Sequence, residues 1–183
     1  MAQPSDEQLV ERFRDSGDIG QFDELVRRHV GPVRRVLFSM VLNHADADDL
    51  TQEVFLRVAR GIGDFRGRAT FSTWLYRITV NAARSFLARA GARRAAQIEV
   101  PDDIPDPVPG PDRNAELSEL DARVGAAMGR LPAPLRAAIT LTAIEGLDGR
   151  EAARAAGCLP ATLYWRVHQA RKILRREMEE RWA

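Results

Sequence analysis

The sequence predicts an all-α protein built from two small helical modules that an acidic, proline-rich linker joins. In both halves apolar residues recur at helical spacing, and no stretch alternates apolar and polar residues for long enough to suggest a strand. Five of the ten prolines fall between Pro101 and Pro111 among several aspartates, a composition that is typical of an extended linker. We therefore expect a first domain over 1–96, a flexible acidic linker over 97–112 and a second domain over 113–183.

The composition excludes several classes of protein. Of the 183 residues 45% are hydrophobic, so the chain can bury a core and is not disordered throughout. The single cysteine, Cys158, excludes a disulfide scaffold and a cysteine-rich zinc site. The longest apolar stretch, around 36–42, is far shorter than the roughly 20 residues that span a bilayer, and the N-terminus lacks the pattern of a signal peptide. We expect a soluble, cytoplasmic protein without membrane insertion.

The first module begins with two predicted helices. An apolar stripe at helical spacing covers 22–41, with an interruption at Gly31-Pro32. Asp46 or Asp48 can cap the next helix, because a short polar side chain there can accept a hydrogen bond from the first turn.

A glycine-rich break over 61–68 separates these helices from the last helix of the first module. That helix is predicted over 72–90, and Trp74, Leu75 and Ile78 lie on its apolar stripe. These three side chains are expected to pack in the core rather than to contact a partner.

The second module has the spacing of a helix-turn-helix. One amphipathic helix is predicted over 133–144, and a short helix over 150–156 is followed by another that starts at Pro160. Ala153 supplies the small residue needed where two helices cross, and Gly157 supplies a turn residue that can adopt positive φ.

The helix after Pro160 has one narrow apolar stripe and one outward tryptophan. At about 100° per residue, three apolar residues fall within about 40° of Leu163. They are Val167, Ala170 and Leu174. Trp165 lies about 200° from Leu163, beside polar and basic residues. Although a tryptophan is usually buried, this one is predicted to face outward toward a partner.

The formal net charge of +1 hides four blocks of opposite sign. Residues 1–64 sum to −4, 65–97 to +7, 98–121 to −7 and 122–183 to +5. Two separated basic modules are what a polyanion-binding chain needs, because neutralised phosphates release counterions. Charge alone is equally compatible with ordinary solvated helix faces.

Three segments together resemble an extracytoplasmic-function (ECF) sigma factor, a member of the smallest class of the sigma-70 family. Residues 46–58 are similar to the family's segment that binds the β′ clamp helices of RNA polymerase, and 65–78 with Asn81 resemble its −10 recognition region. Residues 131–171 resemble its −35-binding domain, and the likeness covers about 5–176. The resemblance implies a promoter-specific initiation factor that binds core polymerase through the β′ clamp helices and the β subunit.

The resemblance also implies three sets of site residues. The core polymerase set is Asp49, Gln52 and Glu53, which at helical spacing share one acidic and amide face; a solvated face is the alternative. The −10 DNA set is Phe65, Arg66, Gly67, Arg68, Arg77, Asn81 and Arg84. The −35 DNA set is Thr162, Tyr164, Trp165, Arg166, His168, Gln169, Arg171 and Lys172. Basic and aromatic side chains suit melted DNA at −10, and a helix fitted to the major groove suits duplex DNA at −35.

The chain also departs from the family pattern at some positions. Gly149 and Ala152 stand where larger apolar residues are common, so the first helix of the helix-turn-helix is expected to be marginal. Large side chains, Tyr164 and Trp165, stand where relatives carry small or basic ones, so the −35 sequence cannot be carried over from relatives.

No catalytic, metal or cofactor site is recognisable, and we expect the protein not to be an enzyme. An anti-sigma factor is a further partner that the resemblance implies. The alternative reading is a stand-alone helix-turn-helix regulator whose first half serves dimerisation or sensing.

Overall fold

The computed structural model describes residues 3–96 and 124–179. The first module contains four helices, α1 (Asp6–Ser16), α2 (Ile19–Val41), α3 (His44–Gly61) and α4 (Phe71–Ala96), with a short 3₁₀ turn at Ile62–Asp64. In the second module, helical residues 124–129 precede α5 (Ala133–Ile139), a π-helical turn (Thr140–Ile144), α6 (Gly149–Ala155) and α7 (Pro160–Glu179). The described residues contain no strand, which confirms the all-α prediction; the predicted linker over 97–112 lies outside them.

Two local predictions in the first module are corrected. The cap of α3 is Asn43, whose side chain accepts a hydrogen bond from Asp46 N at 3.1 Å, rather than Asp46 or Asp48. Helix α2 also continues through Pro32, because Val33 and its neighbours on the same face are fully buried and packing outweighs one missing backbone hydrogen bond.

The core of the first module lies among α2, α3 and α4. Leu75 is fully buried, and Trp74 and Ile78 pack partly buried against the same cluster, as the apolar stripe predicted. The other large buried residues of this module are Leu9, Val10, Leu25, Val33, Val36, Leu37, Met40, Leu50, Val54, Val58, Ile62, Phe65, Phe71, Tyr76 and Val80.

The two modules pack directly against each other. Helix α6 lies on α4, and α5 lies on α2. One apolar cluster includes residues of both modules, and the second module contributes chiefly alanines to it. These are Ala137, Ala138, Ala152, Ala153, Ala155 and Ala156, with Leu141 and Leu163. Because an alanine side chain buries little area, this shared cluster contributes less stabilisation than a leucine-rich interface of the same extent.

A buried arginine connects the end of α2 to the start of α5. Arg136 is only 8% exposed, and its guanidinium donates hydrogen bonds to the carbonyl oxygens of Met40 at 2.6 Å, Leu131 at 2.5 Å and Gly129 at 3.3 Å. Burial lowers the pKa of Arg136 from its ordinary value. The carbonyls of the last turn of a helix lack partners within the helix, so Arg136 satisfies one of them from the other module.

Arg136→Lys should therefore lower the free energy of unfolding by roughly 2 kcal/mol, since an ammonium group cannot reproduce the planar fork that reaches three carbonyls. Urea unfolding followed by circular dichroism measures this, with Arg150→Lys, a change at an exposed arginine, as the matched control. Equal midpoints for the two variants would contradict a structural role for Arg136.

Candidate nucleic-acid interface

The predicted polymerase face lies on the outer side of α3. Asp49 and Gln52 are exposed, and Glu53 is half-buried and paired with Arg57 one turn further along the helix. The opposite side of α3 is buried in the core, so the helix presents its acidic and amide side chains outward.

The predicted −10 residues between the 3₁₀ turn and α4 differ in their exposure to solvent. Arg66, Gly67 and Arg68 are exposed, and Gly67 has φ of 65°, a conformation that favours glycine. Phe65 is only 6% exposed, and its ring lies 5.5 Å from that of Trp74. The aromatic cluster therefore holds the Phe65 side chain inside the core, whereas the prediction placed it at the DNA.

Helix α4 carries the other predicted −10 residues toward the second module. Arg77 and Asn81 are exposed. Arg84 is half-buried, and its Nη2 donates a hydrogen bond of 2.5 Å to the carbonyl oxygen of Ala156, at the end of α6. Burial, and to a lesser extent the charge of Arg166, lower the pKa of Arg84 from its ordinary value. In this arrangement the arginine predicted to meet DNA contacts the helix-turn-helix.

An open groove of about 400 Å³, which we call the basic groove, lies between α4 and the turn of the helix-turn-helix. Its lining residues are Arg77, Ala153, Arg154, Gly157, Cys158 and Leu159. Arg77 belongs to the first module and the other lining residues to the second, so the sequence did not predict that they share one surface.

The helix-turn-helix itself is formed as its spacing predicted. Gly157 has φ of 60°, as the turn requires. Asp148 accepts hydrogen bonds from the backbone N–H groups of Arg150 at 2.7 Å and Glu151 at 2.8 Å, and Glu151 accepts one in return from Asp148 N. The hydrogen bonds from these two backbone N–H groups lower the pKa of the Asp148 carboxyl group. This capping box stabilises the N-terminus of the first helix of the motif. The expectation that this helix is marginal did not take the capping box into account.

The predicted −35 residues lie on the outer side of α7. Leu163 and Ala170 are fully buried and Val167 and Leu174 pack against the core, which confirms the predicted stripe. Tyr164 and Trp165 are each 60% exposed, so the outward orientation of Trp165 is confirmed as well. Of the remaining predicted residues, His168, Arg171 and Lys172 are exposed, and Thr162, Arg166 and Gln169 are half-buried.

The structure also reveals a contact that the sequence did not predict, which we call the Glu145 bridge. The side chain of Glu145 is only 4% exposed, and its carboxylate accepts hydrogen bonds from Arg35 Nε at 3.0 Å, Arg35 Nη2 at 3.2 Å and Tyr76 Oη at 2.9 Å. Burial, and then the negative charge of Glu145, raise the pKa of Tyr76. Arg35 and Glu145 are 110 positions apart, so no local pattern could have paired them.

In the part of the chain that the structure describes, no group of His, Cys, Asp and Glu side chains could hold a metal ion. None of the described helices combines the length and apolar character needed to cross a membrane.

Comparison with known proteins matches both modules to one family. The model of Sigma-70 region 2 matches residues 25–93, and that of Sigma-70 region 4 matches residues 121–174. The chain is 32% identical to the RNA polymerase sigma-H factor of Pseudomonas aeruginosa, over 98% of this chain and 96% of that protein. It is 34% identical to the ECF RNA polymerase sigma-E factor of Escherichia coli K12, over 94% of this chain and 93% of that protein.

Solved structures show the same fold. The structure of CnrH in complex with the cytosolic domain of CnrY aligns with a TM-score of 0.72 at 28% identity, over 97% of this chain and 99% of CnrH. The sigma factor RpoE from Bartonella quintana, in complex with the anti-sigma factor NepR, aligns with a TM-score of 0.74 at 23% identity, over 86% of this chain and 96% of that one. The chain therefore belongs to the ECF sigma factors of the sigma-70 family, the initiation subunits of bacterial RNA polymerase.

Proposed function

We propose that this sigma factor recognises its promoters through three surfaces on two modules, and that the described arrangement is a closed state from which the modules must separate. The observation that carries the proposal is the direct contact between the −10 face of α4 and the helix-turn-helix. Domain bounds of 1–96, 97–112 and 113–183 remain part of the proposal. The protein acts in the cytoplasm, where polymerase works, and carries out no bond chemistry itself.

The outer face of α3 is the proposed contact with core polymerase. Asp49 and Gln52 are exposed there, and Glu53 adds a second carboxylate on the same face. Carboxylates and amides are suitable acceptors for arginine side chains, and the β′ clamp helices are the expected partner. We expect further contacts of the polymerase β subunit with the second module.

Promoter DNA meets two surfaces of different character. Arg66 and Arg68 in the loop, with Arg77 and Asn81 on α4, would neutralise phosphates and hold bases of the melted −10 element. The outer face of α7 would read the −35 duplex in the major groove, with Trp165 and Gln169 near base edges and Arg171 and Lys172 near phosphates.

The described arrangement cannot bind both promoter elements together. The −10 and −35 elements are numbered by their positions on the promoter and therefore lie about 25 base pairs apart, which is about 85 Å of straight duplex. In the structure Arg84 touches Ala156 and the basic groove includes both Arg77 and Leu159, so the two DNA-binding surfaces adjoin. The segment 97–123 is long enough to permit separation, because a fully extended chain of that length spans about 90 Å, which is comparable to the distance between the two elements.

Polar contacts are the main force that we propose holds the closed state. The Glu145 bridge, the Arg84 hydrogen bond to Ala156 and the Arg136 hydrogen bond to Met40 all join the modules. The shared apolar cluster is largely alanine on the second-module side, so opening exposes limited apolar area. Separation then depends on whether polymerase and promoter offer better partners than these contacts.

An anti-sigma factor is the proposed regulator of this equilibrium. The relative CnrH aligns over nearly its full length with this chain while in complex with the cytosolic domain of CnrY. A partner that binds the closed arrangement more tightly than the open one would keep the DNA-binding surfaces together. A stand-alone regulator is not favoured, because both sigma regions match in order.

Asp49→Ala and Gln52→Ala should each weaken binding to core polymerase by about tenfold, because each removes an acceptor for a basic partner surface. Fluorescence anisotropy of the labelled full chain titrated with core polymerase measures this. Asp15→Ala, which removes an exposed carboxylate on α1, is the matched control. Unchanged affinity in both α3 variants would contradict this assignment and place the contact with core polymerase on another surface.

Arg166→Ala should weaken the salt dependence of promoter binding by the holoenzyme. The slope of the logarithm of the binding constant against the logarithm of the salt concentration should decrease in magnitude by about one, because one phosphate contact is lost. Filter binding at several salt concentrations measures the slope, with Arg12→Ala on α1 as the control. An unchanged slope with lower stability would assign Arg166 a structural role.

Glu145→Gln should shift the free protein toward the open state by about tenfold or more, because it removes the charge that Arg35 and Tyr76 compensate. Small-angle X-ray scattering should then show a larger radius of gyration for Glu145→Gln and Arg35→Ala than for wild type. Combining Arg35→Glu with Glu145→Arg should restore compactness, and Glu11→Gln on α1 is the matched control. Identical scattering from wild type and both single variants would refute the Glu145 bridge as the closing contact.

A further inference from the structure

Gly149 occupies a position where its backbone does not require glycine. It is the first residue of α6, and its φ is not among the positive values found at Gly17, Gly67, Gly146 and Gly157. The Asp148 cap already fixes the start of the helix. Because glycine is among the poorest helix formers, neither the backbone conformation nor the helix favours glycine at this position.

The space that a side chain would fill at position 149 is taken by the ring of Tyr164. A Cβ added to Gly149 would lie 2.4 Å from Tyr164 Oη, 2.7 Å from Cζ and 3.0 Å from Cε1. Carbon atoms in van der Waals contact lie about 3.5–4.0 Å apart, so the ring could not stay in place. The absence of a side chain on α6 therefore allows this orientation of a tyrosine on α7.

The orientation matters because Tyr164 is a large exposed side chain on the proposed −35 face. It is 60% exposed, precedes Trp165 directly, and its hydroxyl end is held against the first turn of α6. In a helix-turn-helix the first helix crosses the DNA backbone while the second enters the major groove. A ring held between the two helices meets DNA in one direction, whereas an unrestrained ring could adapt to several sequences.

We propose that Gly149 is a positioning residue for promoter selection: it fixes the direction of the Tyr164 ring and thereby restricts which −35 sequences the protein accepts. This inference rests on the proposed reading of the −35 element by α7. Gly149 itself need not touch DNA.

The contact makes Gly149→Ala an informative variant. The backbone at this position suits alanine, and the atoms that must move belong to the far end of one side chain rather than to the backbone. The ring should therefore turn away from α6 while the helix-turn-helix stays folded. The melting temperature should be unchanged or slightly higher, since alanine favours the helix.

The first test measures the environment of the Tyr164 ring by NMR. The chain contains two tyrosines, so ¹³C-tyrosine labelling of the full-length protein gives two ring signals. Gly149→Ala should shift the Tyr164 signal and leave that of the buried Tyr76 unchanged. Gly125→Ala, a helical glycine with open space where the Cβ would be, should move neither. An unmoved Tyr164 signal in Gly149→Ala would overturn the contact on which the proposal depends.

The second test reads promoter selection. Holoenzyme transcribes a promoter library with a randomised −35 element, and sequencing of transcripts gives the relative use of each sequence. Gly149→Ala should change the relative use of at least some −35 sequences by about fivefold or more, and Gly125→Ala should reproduce the wild-type profile. In a Tyr164→Ala background, Gly149→Ala should cause no further change, because the ring through which it acts is gone.

The outcomes separate the two levels of the proposal. Normal initiation by wild type with an unchanged profile for Gly149→Ala would overturn the role of Gly149 alone. An equal change in the wild-type and Tyr164→Ala backgrounds would also overturn it. A wild-type holoenzyme that initiates at no sequence would overturn the proposed −35 reading, and this role with it, while the labelled tyrosine would still report the ring contact.

Discussion

The arrangement of this sigma factor depends on one buried carboxylate. Glu145 is almost completely removed from solvent, and both of its side-chain partners, Arg35 and Tyr76, belong to the other module. A buried charge without a partner lowers the stability of the folded state. While the modules stay together, Arg35 and Tyr76 supply the partners of the Glu145 carboxylate. When the modules separate, water can reach the carboxylate and take the place of these partners. The Glu145 bridge can therefore open and close without leaving an unpaired buried charge in either state.

The apolar surface between the modules fits the same requirement. An interface rich in leucine or phenylalanine would hold the modules together too firmly for a factor that must span two distant promoter elements. Alanines such as Ala152 and Ala156 allow α6 to approach α4 closely while burying little area. Close approach in turn brings the Ala156 carbonyl within reach of Arg84. Small side chains thus allow a closed state of limited stability that is specified mainly by directional polar contacts.

Local periodicity predicted the orientation of side chains within a helix, but it did not predict contacts between residues that are distant in the sequence. The stripe through Leu163 and the outward Trp165 follow from the angle between successive helical residues, and both are confirmed. The Phe65 ring was assigned to DNA because its loop resembles a family segment, but its burial is set by contacts that only the folded core creates. The Glu145 bridge and the ring of Tyr164 over Gly149 join separate elements. Neither leaves a pattern within either element alone.

Arginines in the closed state offer a reason why DNA favours opening. Arg84 donates to a neutral backbone carbonyl, and burial, followed by the charge of the nearby Arg166, lowers its pKa. Arg77 and Arg154 line the same basic groove, so the closed arrangement brings like charges together. A phosphate is an ionised acceptor, and a hydrogen bond to it is stronger than one to a carbonyl. Exchanging Ala156 for promoter phosphates would therefore strengthen the hydrogen bonding of Arg84 and relieve the repulsion, so one of the residues that closes the free protein also gains a better partner when it opens on DNA.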